Sequence, residues 1–107
     1  MIDLPKPIEL YVKAENSGDA EALSECFAPD ATVRDEGRTY RGLAAIKEWK
    51  AQTKKKYNHT VAPLAVTRRD GQTILKAQLS GNFPGSPVIL EFVFTLDEGK
   101  ITALEIR

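Results

Sequence analysis

Cysteine is almost absent from this chain. Cys26 stands alone, which excludes an internal disulfide and suits a reducing compartment. Histidine is as scarce, and His59 has no cluster of Cys, His or Asp around it at ligand spacing, so no metal site is expected. Neither sign of charge is in excess: Lys and Arg number 15, Asp and Glu number 15. There is thus no electrostatic case for nucleic acid or an anionic membrane as a partner. No apolar run approaches the roughly 20 residues that span a bilayer. Met1-Ile2-Asp3-Leu4-Pro5 lacks a basic stretch followed by an apolar one, so no signal peptide is expected and a cytoplasmic location is. Gly81-Asn82-Phe83-Pro84-Gly85 reads as a turn whose spacing suits no nucleotide motif, and no cofactor is expected.

What remains is an ordinary globular composition. With 107 residues, 42% apolar and 28% charged, the chain is long enough for one core, and residues 1–107 are read as a single domain. Pro5 and Pro7 suit a first helical turn. Ile8, Tyr11, Val12 and Glu15 then recur at i, i+3, i+4 and i+7, the stripe of an amphipathic helix that buries Ile8, Tyr11 and Val12. Gly18 can take the left-handed C-cap conformation, and Asp19 can cap a second helix with Ala20, Leu23 and Phe27 on its apolar face. Leu43 to Lys56 is the third helix, its Lys54-Lys55-Lys56 end matching the negative helix terminus rather than forming a nucleic-acid patch.

Strand signals fill the remainder. Thr39-Tyr40 lies in a loop or short edge strand. His59 to Arg69 and Gln72 to Asn82 flank an Asp70-Gly71 hairpin turn. Val88 to Leu96 and Ile101 to Arg107 flank Asp97-Glu98-Gly99-Lys100. With the longer Asn82 to Pro87 turn between these two pairs, three strand-turn-strand signals in succession predict an antiparallel meander, and the whole predicts an α+β domain with helices on one side of a curved sheet.

The chain is organised around Cys26 to Gly37. Ala28-Pro29-Asp30 breaks the helical pattern ending at Phe27, and an extended run follows from Ala31 to Asp35. Ala31, Val33 and Asp35 share one strand face. If the two small apolar residues face inward, Asp35 does too, either as a buried structural partner or as a catalytic carboxylate.

Several of these residues together resemble the nuclear transport factor 2-like superfamily, in particular its ketosteroid isomerase-like and SnoaL-like branches. They are Tyr11, Gly18-Asp19 and Leu23, then Phe27-Ala28-Pro29-Asp30-Ala31-Thr32-Val33-Arg34-Asp35. Tyr40-Arg41-Gly42, Ile46, Trp49 and Asp97-Glu98-Gly99-Lys100-Ile101 complete the set. The resemblance covers essentially the whole chain. It implies a cone, in which a strongly bent mixed sheet of the cystatin-like α+β barrel type wraps around three helices and leaves an apolar pocket. It also implies a homodimer through the outer sheet face, where both faces of Val88 to Leu96 carry apolar groups. Asp35 matches the general base of the isomerase branch, and Tyr11 its oxyanion-stabilising tyrosine. The pocket expected from the resemblance and the residue types is walled by Phe27, Val33, Tyr40, Trp49, His59, Phe92 and Phe94, and would take a small apolar molecule.

The chain departs from the isomerase at one position. Counting back from Asp97-Glu98-Gly99, the second oxyanion donor is replaced by Phe92, which has no hydrogen to donate, while Glu91 points to the other face. Three function classes stay open. The first is cofactor-independent proton abstraction next to a carbonyl, of isomerase or lyase type. It requires Asp35 near Tyr11 and open to a cavity. The second, a non-catalytic pocket, predicts a cavity with Asp35 tied to an arginine. The third, a dimerisation or scaffold domain, predicts that Phe27, Trp49, Phe92 and Phe94 meet and leave no room.

Overall fold

The computed structural model describes residues 3–107. Helix α1 (Lys6–Ser17) begins at Pro5 and Pro7 and ends at Gly18, whose φ of 73° is the left-handed C-cap. A six-residue 3-10 helix (Ala20–Glu25) follows, and the Asp19 side chain accepts from the Glu21 amide. This segment was expected to be an α-helix running to Phe27. It holds one buried residue, Leu23, and a single apolar anchor supports one tight turn rather than an amphipathic stripe.

Phe27 instead opens β1 (Phe27–Asp35). Pro29 is therefore not a break before the strand but lies within it. The ladder to β6 (Lys100–Ile106) runs Phe27↔Ile101 and then Thr32↔Ala103, so the intervening residues of β1 bulge. Proline cannot donate to a ladder yet suits extended backbone, which makes a bulge its natural place. Glu36 (φ 53°) and Gly37 (φ 76°) then form a two-residue turn into β2 (Arg38–Arg41), the positive φ pair expected of a tight hairpin. Helix α2 (Gly42–Tyr57) ends at Asn58, also left-handed.

The meander is as expected: β3 (Thr60–Arg69), β4 (Gln72–Ser80), β5 (Val88–Asp97) and β6 pair antiparallel in succession. The strand order is β2-β1-β6-β5-β4-β3, and the β1–β6 pair is parallel. The result is a curved, mixed, six-stranded sheet that does not close, with β2 and β3 at its edges. Among the described residues, no helix is long and apolar enough to cross a membrane.

The inner face of the sheet carries Val33, Val61, Leu75, Ala77, Phe92, Phe94 and Leu104, all buried against α1 and α2. Tyr11 sits among three phenylalanine rings, with centroids 5.9 Å from Phe27, 5.4 Å from Phe94 and 6.3 Å from Phe92. Such contacts contribute about 0.5–1.5 kcal/mol each beyond area burial. Cys26 packs beside them as a small hydrophobe; burial pushes its thiol up to about 12. The edge strand β3 is tied to α1 by Asn16, which donates to the Val61 carbonyl at 3.0 Å and accepts from the Val61 amide at 2.6 Å.

Candidate functional site

At one end of the sheet, α1 and α2 do not meet the strands fully, and a cavity of about 300 Å³ remains. Each wall follows from local sequence. Asp35 is the last residue of β1, on the face of buried Ala31 and Val33, and is pinned by the Glu36-Gly37 turn. Trp49 reaches it from α2: the indole Nε1–H donates to Asp35 Oδ2 at 3.1 Å. Leu79, Leu90, Phe92 and Ile106 supply an apolar wall from three strands. Burial pushes the Asp35 carboxyl above its ordinary range, and the indole hydrogen bond works the other way without cancelling it.

The far wall is polar. Glu15 lies one helical turn beyond Tyr11 on α1, and only 1% of it is exposed. Its Oε1 accepts from Lys50 Nζ at 2.5 Å and also contacts His59 Nε2. Lys50 is 2% and His59 4% exposed. Burial alone would raise Glu15, but the Lys50 charge and the His59 hydrogen bond outweigh it and hold the carboxyl at about 2. Lys50 Nζ also lies 3.9 Å from the centroid of the Trp49 ring, a cation–π contact. The indole therefore links two groups: its edge holds Asp35 and its face holds Lys50.

His59 owes its place to a glycine. A side chain at Gly81 would bring a Cβ to 2.8 Å from the Tyr57 carbonyl oxygen and 3.0 Å from His59 Cα. The Asn82 amide donates to the same carbonyl at 2.7 Å. Only glycine lets the end of β4 approach α2 and β3 this closely.

Of the expected site residues, the cavity brings together Asp35, Trp49, His59 and Phe92. Tyr40 stacks on Trp49 at 5.9 Å and lines a neighbouring open groove with Arg38 and Gln52. Phe27, Val33 and Phe94 are core residues away from the cavity lining. Tyr11 is wholly buried, does not line the cavity, and its hydroxyl has no hydrogen-bond partner among the described residues. Burial, and then the nearby Glu15 charge, push its phenol well above the ordinary range. Asp35 forms no ion pair among the described residues, with arginine or otherwise.

Glu15 and Lys50 are the residues that sequence reasoning missed. For Glu15 a signal existed, since it sits at i+7 of the buried α1 stripe. Lys50 follows Trp49 and carries no comparable mark.

An open-ended, curved mixed sheet around two long helices, with a half-buried carboxylate at its mouth, defines a nuclear transport factor 2-like domain. The sequence matches the SnoaL-like domain over residues 8–104, and the chain belongs to that family. Among solved structures it is similar to a Sinorhizobium meliloti protein provisionally named a polyketide cyclase. The two share 43% identity and a TM-score of 0.93 over 98% of this chain and 96% of that one. A Catenulispora acidiphila protein with a ketosteroid isomerase-like fold, in complex with trimethylamine, is 23% identical with a TM-score of 0.85, covering 98% and 86%. A Cytophaga hutchinsonii nuclear transport factor 2-like protein shares the fold at 14% identity and a TM-score of 0.79, covering 100% and 90%. No curated protein matches the sequence.

Proposed function

We propose that the cavity binds a small carbonyl compound and that Asp35 takes a proton from the carbon next to the carbonyl, in a cofactor-independent reaction of isomerase or lyase type. One observation carries this reading: Asp35 lines the cavity with no cationic partner, one carboxylate oxygen held by Trp49 and the other accepting no side-chain hydrogen bond among the described residues. A carboxylate raised by desolvation and opposed by an apolar wall is a competent base for a weakly acidic carbon. The cavity of about 300 Å³ limits the ligand to a small molecule. Tyr11 lies in the layer behind Phe92, outside the lining, so its hydroxyl would donate a hydrogen bond to a ligand oxygen only if that wall gave way.

The test is deuterium exchange into a panel of small ketones and enones, followed by NMR for the wild type and Asp35→Asn. Removing a positioned base should slow exchange by about 10²–10⁴-fold. Equal exchange in both proteins would sink the base assignment. Binding with no exchange would favour the second reading, a non-catalytic pocket, for which Phe92 speaks by filling the place of a second oxyanion donor. We further propose a homodimer through the outer sheet face, where Ile89 is 59% exposed on the same face of β5 as Val93, which pairs with Ile74 of β4. A mass measurement finding only monomer at micromolar concentration would remove it.

A further inference from the structure

The three buried side-chain atoms without a hydrogen-bond partner among the described residues are Tyr11 Oη, Glu15 Oε2 and His59 Nδ1. They belong to one cluster: Tyr11 and Glu15 are a turn apart on α1, and Glu15 contacts His59. Lys50 stands at the centre of this cluster. Its ammonium has three N–H donors, of which Glu15 Oε1 takes one. The others have the Trp49 face and no oxygen partner among the described residues. A buried ammonium with one hydrogen bond is under-solvated, and this one lines the cavity that Asp35 lines.

Trp49 stands between the two charges, with Asp35 Oδ2 3.1 Å from the indole nitrogen at its edge and Lys50 Nζ 3.9 Å from the ring centroid on its face. A carbonyl oxygen lies two bonds from the acidic carbon beside it. A ligand with that carbon against Asp35 therefore turns its oxygen toward Lys50, whereas Tyr11 is behind the wall.

Resting on the reading of Asp35 as base, we infer that Lys50 is the group that receives the ligand's oxygen, and that the cavity selects small enolisable carbonyl compounds and the phenolates that mimic their enolates. In the step, the C–H bond breaks and its proton goes to Asp35. The electron pair forms a carbon–carbon double bond, and the carbonyl π pair moves onto oxygen. That oxyanion accepts a hydrogen bond from Lys50, which keeps its proton. Return of the proton from Asp35 to carbon closes the cycle. Glu15 and His59 are positioning residues that hold the ammonium in place.

The test uses 4-nitrophenol, whose absorbance distinguishes phenol from phenolate, bound to Asp35→Asn so that a neutral amide stands for the protonated base. At a pH one unit below the free phenol's own pKa, the bound dye should be largely phenolate. Adding Tyr11→Phe should leave that spectrum in place. Adding Lys50→Met together with Glu15→Gln, a pair that removes both buried charges and so protects folding, should abolish the phenolate band. Affinity should fall about 10- to 100-fold, the worth of a hydrogen bond to a charge; circular dichroism checks the fold. Binding of neutral phenol, no binding, or loss of the band on Tyr11→Phe with retention in the Lys50 variant would each overturn the assignment. The spectrum requires no proton abstraction. A phenolate band with no ketone exchange in the wild type would therefore refute the base while leaving Lys50 as an oxyanion site.

Discussion

Replacing Glu15 by glutamine should be among the most damaging isosteric changes available to this fold. The side chain keeps its volume, but Lys50, 2% exposed, loses the one carboxylate it bonds among the described residues. Two routes to the magnitude agree. Removing one partner of a buried ion pair costs about 3–5 kcal/mol. The depression of Glu15 from 4.5 to about 2 points the same way, to roughly 3 kcal/mol at 1.36 kcal/mol per pH unit. At about 2.1 cal/mol/K of unfolding entropy per residue, a chain of 107 residues would lose about 13–22 °C in Tm. The pH dependence is the sharper check. Because the folded-state pKa lies below the unfolded one, the stabilisation is fully present above 4.5 and is lost as pH falls through 2. Urea unfolding of both proteins from pH 7 to pH 2 should show a constant gap above pH 5 that narrows steadily below 4.5. A gap under about 1 kcal/mol at pH 7, the scale of an exposed ion pair, would refute the argument, as would a gap unchanged at pH 2.

Asp35 should behave in the opposite sense. Burial raises its folded-state pKa above 3.8, so the ionised form destabilises the fold as pH rises through that raised value, and Asp35→Asn should increase Tm at pH 7 with the gain vanishing below 3.8. Gly81→Ala should cost about 1–3 kcal/mol in urea unfolding, because its Cβ would meet the Tyr57 backbone oxygen at 2.8 Å; the His59 ring resonances should shift with it. Asn16→Ala strips two hydrogen bonds from the Val61 backbone and should cost about 1–3 kcal/mol, with hydrogen exchange at the start of β3 accelerating most. Cys26, buried and with its thiol pushed up to about 12, should react with a thiol reagent only as fast as the protein unfolds.

Where residues carry a strong period, the sequence anticipates the structure closely. The α1 stripe, the β3–β6 meander and the inward set Ala31, Val33 and Asp35 all follow from spacing that one element decides by itself. Failures come where a residue's role depends on another element. Pro29 reads locally as a break, yet β6 supplies a partner strand whose ladder tolerates the bulge. The apolar face drawn through Leu23 and Phe27 dissolves because Phe27 is claimed by β1. The polar wall was the least legible. Glu15 on a buried stripe demands a countercharge, but that charge lies 35 residues away on α2, beyond the reach of any periodicity. Among the aromatics, residue type predicted burial but not company: Tyr11 took Phe27, Phe92 and Phe94, while Trp49 took Tyr40, Asp35 and Lys50.

The parallel pairing of β1 with β6 has a consequence in time. Val33 is registered against Leu104, so the strand that ends in Asp35 gains its inner neighbour only after nearly the whole chain has been gathered. The helices and the hairpins of the meander close over short loops and can form early, whereas this junction carries the largest loop-closure entropy in the domain. A folding transition state that has the meander but not the β1–β6 seam would hold His59, Leu79 and Phe92 near their final places and leave Asp35 unplaced. The carboxylate and its cavity would then be united in the last act of folding, and substitutions along the seam, at Val33 or Leu104, should hasten unfolding far more than they slow folding.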